Sequence, residues 1–311
     1  MKKHLSWLSC PGQYVFYILL VLVMCLYGSL YVANKYVVDT LDAPLILLFR
    51  YTIAAAVLFP LTLRQSKRSS THRHITFRDG LGICVIGILG YAGGVGAQLL
   101  GTKYAGAATA SVINAMNPIT ITLLAAGLLH ERLVWHRIFS ICLAVAGAVT
   151  IIGGVGSAEL AGVCWSVLAV VLWSLMSVLI RRYAKQYGAL TVTTLCMAAA
   201  ALALFPVVWI ANSGTVPGIT WEQLLVLLYI AIACTAVAHF LWNYCLSRLD
   251  ASLCSMFYPV QPLVSMILAV VLLHEEITVS LVLGGLLIIF GLFMTLWMER
   301  KSTQVNRNPQ K

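Results

Sequence analysis

Apolar stretches of about twenty residues follow one another along this chain, parted by short polar segments. They fall at 13–33, 43–63, 80–100, 105–128, 134–153, 159–180, 190–211, 222–243, 252–273 and 278–298. A helix rises 1.5 Å per residue, so about 20 residues cover the ~30 Å of a bilayer's hydrocarbon core. The pattern predicts an all-α integral membrane protein with ten transmembrane helices. The first stretch, Gln13 to Ala33, is longer than the apolar core of a signal peptide and reads as an uncleaved first helix.

The second half of the pattern repeats the first. Phe59-Pro60 recurs as Phe205-Pro206, Asn117-Pro118 as Gln261-Pro262, His130-Glu131 as His274-Glu275 and Gly147 as Gly291. The separation is nearly constant, 144 (117 to 261) to 146 (59 to 205). Five spans fit in each copy, and an odd number of spans returns the chain to the opposite face of the membrane. The expected organisation is two inverted five-helix repeats, at 13–153 and 159–298, with short cytoplasmic tails at 1–12 and 299–311. Repeats of this kind let one midplane site face either side in turn.

Composition narrows the class. The chain is 61% hydrophobic and 10% charged over 311 residues, against about a quarter charged in soluble domains. The net charge of +10 is no sign of a nucleic-acid partner, because the basic residues sit in loops between apolar runs. Of the 20 Lys and Arg, Lys35 and Lys103 fall on one side, Arg50 falls inside a span, and the other 17 share the opposite side. The positive-inside rule makes that side the cytoplasm and puts both termini there. The expected location is the cell (inner) membrane. Most of the nine cysteines lie inside apolar runs without paired spacing and read as small core residues. No cofactor or metal is expected.

Polar residues inside the spans are the candidates for chemistry. Pro118 and Pro262 lie near the middle of the fourth and ninth spans, and proline strips the carbonyl four residues earlier, here Asn114 and Tyr258, of its helical bond. Such carbonyls need protein or a watery cavity. Two breaks at matching depth point to a midplane site; helix packing is the alternative. Asn114 and Asn117 share a helix face, as do Tyr258 and Gln261, and amides at this depth face other helices or solute. Gln98 lies in the third span. His239 and Asn243 share a face of the eighth span, and His239 is a candidate for proton coupling, with a buried neutral imidazole as the alternative. Trp173 and Tyr27 hold matching places in the first helix of each half, either lining a cavity or packing the core. Arg50 is the charged residue deep in a span, at an insertion cost of about 2.5–3.5 kcal/mol. It fits a structural tether to Asp39, Asp42 or carbonyls better than a substrate contact, and both readings stand. With no Asp or Glu deep in a span, neutral, zwitterionic or anionic solutes suit the spans better than cations.

The ordered set of landmarks resembles the drug/metabolite transporter superfamily, in particular its EamA-type branch. The residues that carry the likeness are Phe49-Arg50-Tyr51 in the second span, Asn117-Pro118 and Gln261-Pro262, Glu131 and Glu275 after those spans, and Gly147 and Gly291 in the last helix of each half. It covers roughly 13–298. In both copies His precedes the Glu, where a small residue such as Gly is expected. The resemblance implies a metabolite carrier, often an exporter of amino acids or related solutes. Spans one, three, four, six, eight and nine would surround the cavity, with five and ten at the periphery.

The expected function is therefore secondary active transport of a small metabolite by alternating access. The candidate contacts are Gln98, Asn114, Asn117, Trp173, His239, Asn243, Tyr258 and Gln261. The expected partners are the solute, the lipid and, through glycine faces near Gly147 and Gly291, a second copy in a homodimer; intramolecular packing of those faces is the other reading. A membrane scaffold or assembly subunit is the alternative function. An enzyme is disfavoured: His130-Glu131 lacks a second His at position 134, which is Val, and no P-loop is present.

Overall fold

The structure, a computed structural model, describes residues 11–68, 75–129, 142–143, 146–147, 150, 157–211, 218–249, 254, 257–258 and 260–306. Within them the chain is helical. Helix α1 spans Pro11–Val38. Helix α2 (Ala43–Arg68) carries Pro60 in its interior. Close to that proline, the Thr62 hydroxyl donates back to the Leu58 carbonyl at 3.0 Å.

The third span is compound. Helix α3 (Phe77–Gly87) is capped by Thr76, whose hydroxyl accepts from Asp79 N. It runs through a π-helical stretch, Ile88–Gly94, into α4 (Val95–Ala105). Gly106, at φ 82°, turns the chain directly into α5 (Ala107–Asn114), so the boundary falls just after the Gly101–Tyr104 gap in the apolar pattern. After a turn at Ala115 and Met116, α6 (Asn117–Leu129) completes the fourth span. Pro118 thus opens a second half-helix instead of interrupting one continuous helix.

The second half follows the same plan. Helix α7 (Ser157–Tyr187) ends at Gly188 (φ 87°), and α8 (Ala189–Ala211) holds Pro206 as α2 holds Pro60. Helix α9 (Trp221–Tyr229) opens on a capping box between Thr220 and Gln223. A second π-helical stretch, Ile230–Val237, leads into α10 (Ala238–Arg248). Then come α11 (Val260–Leu273) and α12 (Val279–Asn306). The π-helical stretches sit at matching places in the two halves.

Six helical stretches among the described residues are long and apolar enough to cross a membrane: Val15–Val38, Ala43–Arg64, Phe77–Ala105, Glu159–Tyr187, Ala189–Ala211 and Trp221–Arg248. Val260–Leu273 and Val279–Gly291 are shorter apolar helices. Most of the span expected at 134–153 lies outside the described residues, as do His130, Glu131 and both extreme tails.

Solvation runs opposite to that of a water-soluble globule. Leu202, Ile210 and Ile267 are among the most exposed side chains, while Asn34, Arg50, Asn117, Thr235 and Ser265 are wholly or almost wholly buried. Such an arrangement suits a bundle whose solvent is lipid. Packing pairs the halves: α2 lies along α8, α1 along α11 and α10, and α7 along α4, α5 and α6. Gly147 permits another close approach, because a Cβ there would come within 2.6 Å of the Gly284 carbonyl and 2.8 Å of Ile288. The glycines near Gly147 and Gly291 therefore serve contact between helices of one chain at this point.

Candidate functional site

The fourth span's break is held by side chains. Asn117 Nδ2 donates to the Asn114 carbonyl at 2.8 Å and also to the Asn114 side-chain oxygen. Ser174 on α7 donates to Asn117 Oδ1 at 3.2 Å. At the start of α11, the Tyr258 carbonyl accepts from Gln261 N at 3.0 Å, closing a tight four-residue turn. The two carbonyls expected to be free beside Pro118 and Pro262 are therefore both bonded. A broken helix can tighten into a turn or borrow an amide, which satisfies a carbonyl inside lipid as well as a cavity does.

Between the two breaks lies a small, partly open cavity of about 30 Å³. Gln98, Asn114, Asn117, Trp173, His239, Tyr258 and Gln261 line it, together with Arg50, Tyr27 and Gly94. Seven of the eight side chains singled out as contacts are thus brought to one place from both halves of the chain. Asn243 is not among the lining residues; one helical turn beyond His239, its Nδ2 donates to Thr193 on α8 at 2.7 Å.

The lining is ordered by hydrogen bonds and ring contacts. Gln98 Nε2 donates to the Tyr31 hydroxyl at 2.6 Å, and Trp173 Nε1 to the Tyr258 hydroxyl at 3.3 Å. His239 sits in an aromatic box, its ring 5.3 Å from Tyr27, 5.2 Å from Tyr91 and 5.4 Å from Trp173, centroid to centroid. Edge-on geometry between such rings, as for Tyr27 and Trp173 at 87°, is the favoured one. Among the described residues, Nδ1 of His239 and the hydroxyls of Tyr27 and Tyr91 are buried without a hydrogen-bond partner.

Arg50 meets neither Asp39 nor Asp42. Its Nε donates to the Thr235 hydroxyl, and Thr235 in turn donates to the Ile230 carbonyl at 2.7 Å. That five-residue reach belongs to the π-helical stretch, whose wider turn presents Thr235 to α2. Asp39 is engaged by Lys35 at 3.4 Å.

Sequence reasoning missed Thr235, Tyr91 and Tyr31, which hold the lining residues, and the π-helical stretches that carry the first two. The available signal was the run Gly90-Tyr91-Ala92-Gly93-Gly94. A Cβ on Gly90 would clash with the Met176 side chain, and one on Gly94 would lie 3.2 Å from Leu172 Cβ, so these glycines let the third span close against α7.

A helical bundle with an apolar exterior, polar side chains buried within its apolar core and a cavity shared by its two halves is a multi-pass membrane protein of the kind that handles small solutes. The chain belongs to the EamA-like transporter family, which matches residues 15–153 and again residues 160–297. It is 24% identical over 300 residues to an uncharacterized transporter of Clostridium kluyveri, covering 94% of this chain and 96% of that one. It is 27% identical over 303 residues to a probable terminal-alkyne amino-acid exporter of Streptantibioticus cattleyicolor, covering 93% and 97%. A solved crystal structure superposes with a TM-score of 0.67 at 23% identity, over 92% of this chain and 98% of that one, and shows a shared fold.

Proposed function

We propose that this transporter is a secondary active carrier that moves a small metabolite by alternating access. The solute is an amino acid or a related neutral, zwitterionic or anionic compound, and export is the direction. Two five-helix halves, 13–153 and 159–298, insert with opposite orientation to give ten spans, in the cell (inner) membrane with both termini cytoplasmic. The observation that carries this reading is the shared cavity: polar side chains from both halves meet there beside two helix breaks. Discontinuous helices at a repeat interface are where carriers bind their solutes. Gln98, Asn114, Asn117, Trp173, Tyr258 and Gln261 contact the solute, and His239 couples transport to protons. The relative named as an amino-acid exporter supports the solute class.

Counterflow in liposomes tests the reading. Unlabelled amino acid inside the vesicle accelerates tracer uptake through a carrier; uptake indifferent to the internal solute for every compound supplied removes it. Single cysteines at Ser69 and Ser157 test the inversion: they react from opposite sides of the membrane, and labelling of both from one side defeats it.

A further inference from the structure

Arg50 is almost wholly buried on α2 and is one of the residues that line the central cavity. Burial of a cation inside a lipid-embedded bundle calls for a partner, and among the described residues Arg50 makes no ion pair. Thr235 fixes Nε, and the Tyr51 ring lies 5.6 Å from the guanidinium carbon. Nη2 is buried and has no hydrogen-bond partner among the described residues. The group is thus gripped on one side and leaves a charged donor unused on the other. Two-fold repetition does not explain it: the place 146 residues on (50 to 196, the spacing of Phe59 and Phe205) holds Cys196, whose thiol donates to the Ile83 carbonyl at 3.3 Å.

We propose that Arg50 is the binding group for a carboxylate on the transported solute. This rests on the transport reading above and narrows its solute class to carboxylate-bearing compounds. Guanidinium and carboxylate match in planar geometry, and a charge-assisted bond to Nη2 supplies the partner that the protein withholds. Arg50 is the one fixed cation among the residues lining the cavity, which suits a single negative charge better than a phosphate dianion. Thr235 is the positioning residue: its hydroxyl, oriented by the Ile230 carbonyl, holds the guanidinium toward the chamber. The polar amides at Asn114, Asn117 and Gln261 then serve the rest of the solute.

Matched pairs test this on the full-length purified protein: leucine, phenylalanine, methionine and threonine, each as the free acid and as its primary amide. Thermal stabilisation reads binding and liposome counterflow reads transport. The wild type binds at least one acid more tightly than its amide, by about 10–100-fold, the worth of a hydrogen bond to a charged group. Arg50→Met abolishes that preference while amide binding persists, and Arg50→Lys restores part of it. If Arg50→Met does not fold, Thr235→Val carries the test, with weaker acid binding and unchanged amide binding. Equal affinity for acids and amides in the wild type, or a preference that survives Arg50→Met or, when that variant does not fold, Thr235→Val, overturns the proposal. Counterflow of amides without acids also overturns it and leaves the carrier reading standing. Absence of both stabilisation and counterflow with every compound removes the carrier reading and the anchor together.

Discussion

The hydroxyl of Ser174 donates across 3.2 Å to the side-chain oxygen of Asn117, tying the first helix of the second half to the broken helix of the first. Gly28, which holds Ser174's place in the other half, lies where a Cβ would come within 2.7 Å of the Gln261 carbonyl, and Gln261 holds the place of Asn117. The same crossing is therefore built twice with different chemistry: a hydroxyl–amide bond in one copy, bare backbone contact in the other.

At the bare crossing there is no spare room. A side chain at position 28 meets the Gln261 carbonyl and Val264 Cβ, both at 2.7 Å. Gly28→Leu is expected to cost at least the ~1–3 kcal/mol typical of overpacking and to abolish counterflow. Gly218→Ala is the control, since nothing lies within 4 Å of its added Cβ. The check is the thermal midpoint of each purified variant; a Gly28→Leu protein as stable as wild type contradicts the crossing.

At the bonded crossing, Ser174→Ala removes one donor to a buried amide oxygen. The expected loss is about 1 kcal/mol, seen as a midpoint lowered by a few degrees. Asn117 keeps its bonds to Asn114, so the fourth span stays broken and solute selectivity is unchanged.

Glu275 caps the half-helix that opens the fourth span. Its two carboxylate oxygens accept from Ala107 N at 2.9 Å and Ala108 N at 3.1 Å. The approach needs glycine at position 106, where φ is 82° and a Cβ would meet Oε1 at 3.0 Å. A carboxylate here satisfies orphan amides and the positive end of the helix together. Glu275→Ala is expected to cost about 1–2 kcal/mol, and Glu275→Gln less, since an amide oxygen still accepts. Equal midpoints for the two variants would show that the cap does not matter.

His239 tests the coupling role. It is the titratable ring enclosed by Tyr27, Tyr91 and Trp173, in a chamber it shares with Arg50. His239→Ala is expected to remove the pH dependence of net transport while exchange of labelled for unlabelled solute continues. Initial rates between pH 5.5 and 7.5, about a unit either side of an ordinary imidazole, decide it; an unaltered pH profile takes His239 out of the mechanism.

Asn243 separates lining from support. Because it bonds Thr193 and does not line the chamber, Asn243→Ala should lower stability by about 1–3 kcal/mol through the partner left unpaired. The ranking of solutes in counterflow should stay as in the wild type. A changed ranking would place Asn243 in the solute's path.

Much of the candidate site could be read from residue type and spacing. Asn114, Asn117, Tyr258 and Gln261 stand out because amides and a phenol flanking prolines deep in apolar runs have few other uses. Asn243 looked equivalent to His239 on the same face, yet a turn of helix is enough to point it at α8 instead of the chamber. The partner of Arg50 was hidden for a related reason: Thr235 is 185 positions away in sequence, and the unanticipated π-helical stretch sets its direction.

By itself the sequence determined the apolar spans, their order and their duplication. The bilayer imposes a length and a composition on every crossing, and those demands act within one helix at a time. Only the tertiary structure decided how the broken helices satisfy their carbonyls, which polar groups converge and which partner holds Arg50. Those outcomes depend on how closely helices from separate halves approach and how they are turned about their axes. Glycines such as Gly28 and Gly94 and the wide turns before His239 fix that geometry across distances no local pattern records.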